Sequence, residues 1–173
     1  TMEEERAELA EERALRARAE AAVAQLRAVE YVTGAALSNL PLAELLGELL
    51  ERIRQVLAGD RARLLLLSED GQYLIVRAAV GLRSEVPEDV RIPVGRGIAG
   101  RIAAERRPMI VDDVTRVEVI SPLLRRSTRS VIGAPLIVEG RLIGVVDVGT
   151  IEPRHFSADD VELLQVVADR AAL

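Results

Sequence analysis

The chain has 173 residues, of which 49% are hydrophobic, enough for one globular domain with an appendage. A net charge of −5 provides no basic surface for a phosphate backbone, so we expect no nucleic-acid partner. The absence of Cys excludes disulfides, thiolate metal sites, a cysteine nucleophile and a thioether-linked chromophore.

Apolar runs in the chain are short. The run Leu64 to Leu67 is far below the roughly 20 residues that cross a bilayer, and no signal-peptide pattern opens the chain. We therefore expect a cytoplasmic protein with no membrane span. The chain begins at Thr1 and stops inside a helix-favouring run, which is typical of a fragment whose output domain lies elsewhere in a longer chain.

Residues 1–40 are predicted to form one long helix, because they are mostly strong helix formers with Glu and Arg three or four positions apart. Alternating spacings of four and three give the 3.5-residue repeat of a coiled coil. The predicted seam consists of Leu15, Ala19, Ala22, Leu26, Val29, Thr33, Ala36 and Leu40. We expect a parallel homodimer along it; the alternative is a lone helix packed on its own domain. Seam positions before Leu15 are Glu, so the first two turns are expected to fray.

Residues 41–173 are the predicted globular domain. Pro41 breaks the first helix, and a second helix with a broad apolar face follows and ends at Gly59 and Asp60. Residues 61–81 then predict a β-hairpin in which Asp70 and Gly71 supply the positive-φ turn positions.

The rest of the domain continues the α+β pattern. Two short strands, in residues 90–94 and 109–114, flank a short helix, and residues 129–150 predict a second hairpin that turns at Glu139 and Gly140. Ser157 and Asp160 have capping-box spacing at the start of the last helix. This order predicts an α+β fold with a mostly antiparallel sheet backed by helices.

Gly95, Gly97 and Gly100 have the G-x-G-x-x-G spacing of dinucleotide-binding loops. Such a loop follows a buried parallel strand and starts a long crossover helix. Here Pro93 indicates an edge strand, and only about ten residues separate the glycines from Pro108. The glycines are therefore predicted to turn the chain into a short helix, and Gly100 to let that helix approach the sheet.

Three segments, residues 92–114, 129–150 and 153–172, resemble the GAF domain family of small-molecule-sensing and dimerising modules. The resemblance covers about residues 42–173. It implies a six-stranded antiparallel sheet with the first and last helices of the domain on one face. On the other face, the short helix and the irregular segment before the second hairpin would enclose a pocket.

The resemblance also implies which residues line this pocket. Its candidate wall consists of Ile98, Ile102, Asp112, Ile120, Leu123, Leu124, Arg125, Arg129, Val131 and Gly133. Arg125, Arg126 and Arg129 could hold an anion, with a solvated loop as the alternative. Asp112 and its neighbour Asp113 point to opposite faces if they lie on a strand, so a shared acid–base site is not expected and one of them should cap the next turn.

Several chemistries of GAF proteins need residues that this chain lacks. Bilin attachment and methionine-sulfoxide reduction use cysteines, and the cyclic-nucleotide class carries an Asn-Lys-Phe-Asp-Glu set, whereas this chain has no Cys and no Lys. Haem-binding relatives use a His near the irregular segment, but His155 lies at the entry to the last helix. We expect His155 at the surface and no metal site, and the sequence does not identify a cofactor.

The resemblance implies a regulatory sensor of bacterial signal transduction. It would dimerise through its terminal helices and couple small-molecule binding to an effector in the same full-length chain. A histidine kinase of a two-component system, a metal-dependent serine/threonine phosphatase and a cyclic-dinucleotide enzyme are the candidate effectors. The alternative is a ligand-free dimerisation scaffold. The fragment is not expected to be an enzyme, because it lacks a nucleophile–base set.

Overall fold

A computed structural model of the chain describes residues 1–33, 42–81, 91–120 and 127–172. Within these ranges the elements are, in chain order, α1 (Met2–Thr33), α2 (Leu42–Val56), β1 (Arg61–Leu67), β2 (Tyr73–Gly81), β3 (Arg91–Pro93), α3 (Gly97–Glu105), β4 (Met109–Val111), a 3₁₀ turn (Val114–Arg116), β5 (Ser130–Val138), β6 (Arg141–Thr150) and α4 (Ala158–Ala171).

The strands form one six-stranded sheet with the order β3-β2-β1-β6-β5-β4, and every neighbouring pair is antiparallel. Both predicted hairpins are confirmed. At the β5–β6 turn, Glu139 and Gly140 have φ values of 50° and 78°. At the β1–β2 turn only Gly71 has a positive φ. Asp70 does not, and its carboxylate instead accepts a hydrogen bond from the Gln72 amide at 3.0 Å.

The sheet is buried on both faces, which explains why its central strands are nearly continuous apolar runs. Successive side chains alternate between the faces. On β1, Leu64 belongs to the cluster formed with α2 and α4, whereas Leu65 belongs to the cluster formed with α3. We call these the helix face and the α3 face. A capping box between Ser157 and Asp160 starts α4, as predicted.

Helix α1 lies along α2 and α4 through its second half and enters the buried core near its end. Val29 is 2% exposed within the helix-face core, whereas Leu15 and Leu26 are 57% and 52% exposed. The helix begins at Met2, and the Thr1 hydroxyl caps it by accepting a hydrogen bond from the Glu4 amide. Fraying of the first two turns stays a prediction. In the described ranges, no helix combines the length and the apolar character needed to cross a membrane.

The glycine segment joins an edge strand to a short helix, as predicted. Gly95 and Gly97 have φ values of 94° and 68°, and they turn the chain between β3 and α3. A Cβ on Gly100 would lie 2.2 Å from the Pro93 carbonyl oxygen, so α3 approaches β3 more closely than a side chain would allow. Because β3 pairs antiparallel with β2, the segment lacks the parallel strand of a dinucleotide-binding loop.

Candidate functional site

The α3 face brings together the apolar part of the predicted pocket wall. Ile98, Ile102 and Val131 are buried there, and Ile120 packs against the same cluster. Ile102 lies directly over Gly133, because a Cβ on that glycine would be 2.5 Å from the Ile102 Cδ1 atom. The middle of this face is thus closely packed by α3.

Other predicted wall residues lie elsewhere. Asp112 and Arg129 are exposed, whereas their neighbours Val111 and Ser130 are buried, as the alternation of extended backbone requires. The Asp112 carboxylate lies 3.2 Å from Nδ1 of His155, which is at the surface as expected. Leu123, Leu124, Arg125 and Arg126 lie outside the described residues.

Asp113 caps the 3₁₀ turn that follows β4, as the sequence predicts for one of the two adjacent carboxylates. Its Oδ1 accepts hydrogen bonds from the Thr115 hydroxyl at 2.7 Å and from the Thr115 amide at 3.0 Å. These bonds lower the pKa of Asp113 below its ordinary value. Asp113 therefore stabilises the segment that leads away from the sheet.

The α3 face also contains a buried ion pair that the sequence analysis did not identify. Arg63 Nε and Nη2 donate to Asp147 Oδ1 at 3.0 Å and Oδ2 at 2.7 Å, and the two side chains are 8% and 2% exposed. Burial by itself lowers the pKa of Arg63, but the charge of Asp147 and the hydrogen bonds to it outweigh burial and raise that pKa. Arg63 is therefore held as a cation within an apolar layer.

The buried polar side chains of the described residues lie at one end of the sheet. In the described ranges, the buried polar or charged side chains lie at the start of β1, the entry to β5 and the end of β6: Arg61, Arg63, Thr128, Ser130, Asp147 and Thr150. Ser130 Oγ donates to the Asp112 carbonyl, and Thr150 Oγ1 donates to the Glu152 carbonyl. Both hydroxyls are therefore hydrogen-bonded to backbone groups.

The hydroxyl of Thr128 is different, because this buried oxygen has no hydrogen-bond partner. The Thr128 side chain covers Gly149, where a Cβ would lie 2.7 Å from its Cγ2 and 3.4 Å from the Cγ of Arg61. Gly149 follows Asp147 by two positions on β6, so both face α3. We call Arg61, Arg63, Thr128 and Asp147 the polar patch.

Comparison with known proteins decides the family. The GAF domain model matches residues 41–173. The chain belongs to the GAF family. A related protein is the Nif-specific regulatory protein of Azospirillum lipoferum, which is 29% identical over 145 residues, covering 76% of this chain and 22% of that protein. The chain thus spans less than a quarter of that relative's length.

Solved GAF structures share the fold. The GAF domain of a phosphoenolpyruvate-protein phosphotransferase from Coxiella burnetii superposes with a TM-score of 0.75 at 21% identity, covering 87% of this chain and 92% of that one. Free methionine-R-sulfoxide reductase from Neisseria meningitidis, in complex with its substrate, gives 0.72 at 21% identity and covers 88% of each chain. The same fold therefore occurs both in that GAF domain and in an enzyme.

The polar patch of this GAF domain left a weak signal in the sequence. Arg61 and Arg63 occupy alternate positions of an otherwise apolar strand, and Asp147 interrupts the apolar run of β6. Charges within strands that are apolar on both faces indicate buried partners, but only the register shows which charges meet: Arg63 lies opposite Asp147. Among the described residues, no group of three His, Cys, Asp or Glu side chains could hold a metal ion.

Proposed function

We propose that this chain is the regulatory GAF module of a bacterial signalling protein that binds a small molecule at the α3 face. Binding would be coupled to an effector in the same full-length chain through a homodimer of terminal helices. The cytoplasmic location expected from the sequence belongs to the same proposal. One observation carries the sensing role: the polar patch places a buried ion pair and an unpartnered hydroxyl within an apolar layer.

Ligand recognition explains the polar patch better than a contribution to folding stability does. Replacing a buried ion pair with apolar side chains is often neutral or stabilising, so such a pair adds little to folding. A buried hydroxyl without a partner costs free energy that a hydrogen-bonding ligand would recover. Small-molecule sites commonly combine an apolar lining with a few polar groups, and the patch adjoins the apolar cluster that contains Val131 and Ile102.

The proposed dimer uses the exposed part of α1. The seam residues Leu15, Ala19, Ala22 and Leu26 are all exposed, and their 3.5-residue spacing suits a second copy of the same helix. Val29, predicted as the next seam residue, is instead buried against the helix face of its own domain and does not face a second copy. The predicted seam residues Ala36 and Leu40 lie outside the described residues. Helix α1 therefore connects the proposed dimer seam to the core beneath the sheet.

Two features of β1 support coupling between ligand and helices. Arg63 lies in the polar patch on one face, and Leu64, the next residue, packs in the helix-face cluster. A ligand that favours one position of β1 would thus bias the packing of α2 and α1. A ligand shifts such an equilibrium only by its differential affinity for the two states.

The proposed module is not an enzyme. Reduction of a sulfoxide needs a two-electron donor, and this chain has no Cys to act as one. The reductase activity of the structural relative is therefore not assigned to this chain. A ligand-free scaffold is the second candidate, and the close packing of Ile102 over Gly133 favours it.

Mass spectrometry separates the two candidates. Protein purified under native conditions is analysed intact and again after denaturation, and a sensor should release a stoichiometric small molecule. A homodimer without any released molecule would favour the scaffold.

Disulfide crosslinking tests the seam and its coupling. Leu26→Cys should crosslink two copies, because the residue lies on the predicted seam, and the chain has no native Cys to interfere. Ala17→Cys lies on the opposite side of α1 and is the matched control. Equal crosslinking of both variants would disprove the seam, and an identical Leu26→Cys rate with and without the released molecule would disprove coupling.

A further inference from the structure

Arg63 retains hydrogen-bond donors after it has paired with Asp147. The pair uses Nε and Nη2, one edge of the guanidinium group. Among the described residues, Arg63 makes no other hydrogen bond, so none of them uses the edge formed by Nη1 and the second N–H of Nη2. A guanidinium edge presents two parallel N–H donors, which match the two oxygens of a carboxylate or phosphate group.

Thr128 brings a second unused group to the same place. It is 6% exposed, its Oγ1 atom has no partner, and its methyl group covers Gly149. Gly149 and Asp147 are neighbours on the same face of β6, about 7 Å apart along the strand. The Thr128 side chain therefore lies over the position next to the Arg63–Asp147 pair on the same face of the sheet.

Arg61 makes this position favourable for negative charge. It is 5% exposed, lies on the same face of β1 as Arg63, and pairs across the sheet with Gly149. Arg61 and Arg63 bring two positive charges to a place where Asp147 brings one negative charge, so an anion is stabilised there more strongly than a neutral molecule.

We propose, resting on the sensory function proposed above, that the ligand is a small carboxylate anion held by the unused edge of Arg63 and the hydroxyl of Thr128. Ile102 packs over Gly133, which pairs with Asp147 across the sheet, and the Thr128 methyl group packs over Gly149; this close packing favours a compact carboxylate over a bulky phosphate ester.

Ligand-stripped protein gives the direct test. The chain is unfolded in denaturant, dialysed and refolded, and its thermal unfolding is followed with acetate, pyruvate and succinate at constant ionic strength. Acetamide and succinamide are the neutral counterparts, and inorganic phosphate is the alternative anion. We expect a carboxylate to raise the Tm while its amide does not. Equal effects of acid and amide, an effect of phosphate alone, or no effect of any carboxylate would overturn the proposal.

Thr128→Val removes the hydroxyl and nearly preserves the shape of the side chain. In stripped protein it should leave the Tm unchanged or higher, because an unpartnered group is lost. It should also weaken carboxylate binding about tenfold, and Thr128→Ser should restore it. Unchanged carboxylate affinity in Thr128→Val would overturn the assignment, as would a lowered Tm of the stripped variant, because a lowered Tm indicates a structural role.

The two proposals can fail separately. If natively purified protein releases a neutral or cationic molecule and no carboxylate binds, the anion assignment is wrong and the sensory function stands. If nothing is released and no carboxylate binds, both are wrong.

Discussion

Asp147→Asn removes the negative charge from the buried ion pair and leaves the Arg63 cation without its counterion. The side chains are 8% and 2% exposed, so water cannot take the place of the carboxylate. Removing one partner of a buried pair costs about 3–5 kcal/mol of unfolding free energy. Each kcal/mol lowers the Tm of a domain of this size by about 2–4 °C, so we expect a fall of about 6–20 °C.

Urea and thermal unfolding followed by circular dichroism, at fixed protein concentration, measure this loss. The matched control is Glu118→Gln, which removes the carboxylate from an ion pair with Arg96 whose side chains are 62% and 47% exposed. An exposed pair contributes about 0–1 kcal/mol, so the control should unfold almost as the wild type does. The double variant Arg63→Met/Asp147→Val removes both buried charges and should recover most of the lost stability.

Two results would refute this reasoning. If Asp147→Asn costs no more than Glu118→Gln, burial does not amplify the interaction between Arg63 and Asp147. If the double variant is as unstable as Asp147→Asn, the loss comes from disturbed packing and not from an unpaired charge.

Three further predictions concern packing, capping and pH. Gly133→Ala should lower the free energy of unfolding by about 1–3 kcal/mol, because the new Cβ would lie 2.5 Å from Ile102 Cδ1. Adding Ile102→Val, which removes that atom, should recover most of this stability in urea unfolding. Ser157→Ala removes the side-chain cap of α4 and should lower the free energy of unfolding by about 0.5–2 kcal/mol in the same assay. Ser157→Asp retains a capping oxygen and should keep most of the wild-type stability. Hydrogen bonds to Thr115 lower the pKa of Asp113 in the folded state. The contribution of Asp113 to the free energy of unfolding is therefore present above the unfolded-state pKa of about 3.9, and it is lost as the pH falls through the folded-state pKa. The stability difference between wild type and Asp113→Asn at pH 7 should therefore shrink in acid, and a pH-independent difference would contradict the assignment.

Much of the fold could be predicted because its signals are local. Turn residues at Gly71 and Gly140, apolar alternation and the cap at Ser157 each act within a few residues of chain. The bend at Gly95 and Gly97 could likewise be separated from a phosphate loop, because Pro93 and the short helix are neighbours in sequence. Local chemistry was enough to predict an antiparallel sheet with helices.

The candidate site depends on contacts between distant parts of the chain. Asp112 was expected in the pocket, but the alternation of extended backbone turns its carboxylate to the surface beside His155. The packing of Ile102 over Gly133 joins α3 to β5, and neither residue is unusual within its own segment.

The sequence by itself determined the helices, the hairpins and the absence of cysteine chemistry, because residue type and short-range spacing control them. Only the tertiary structure decided that Arg63 meets Asp147, which is 84 residues away along the chain, and that Thr128 is buried over Gly149 without a hydrogen-bond partner. The register between β1 and β6 sets that meeting, and a register is a property of two strands together.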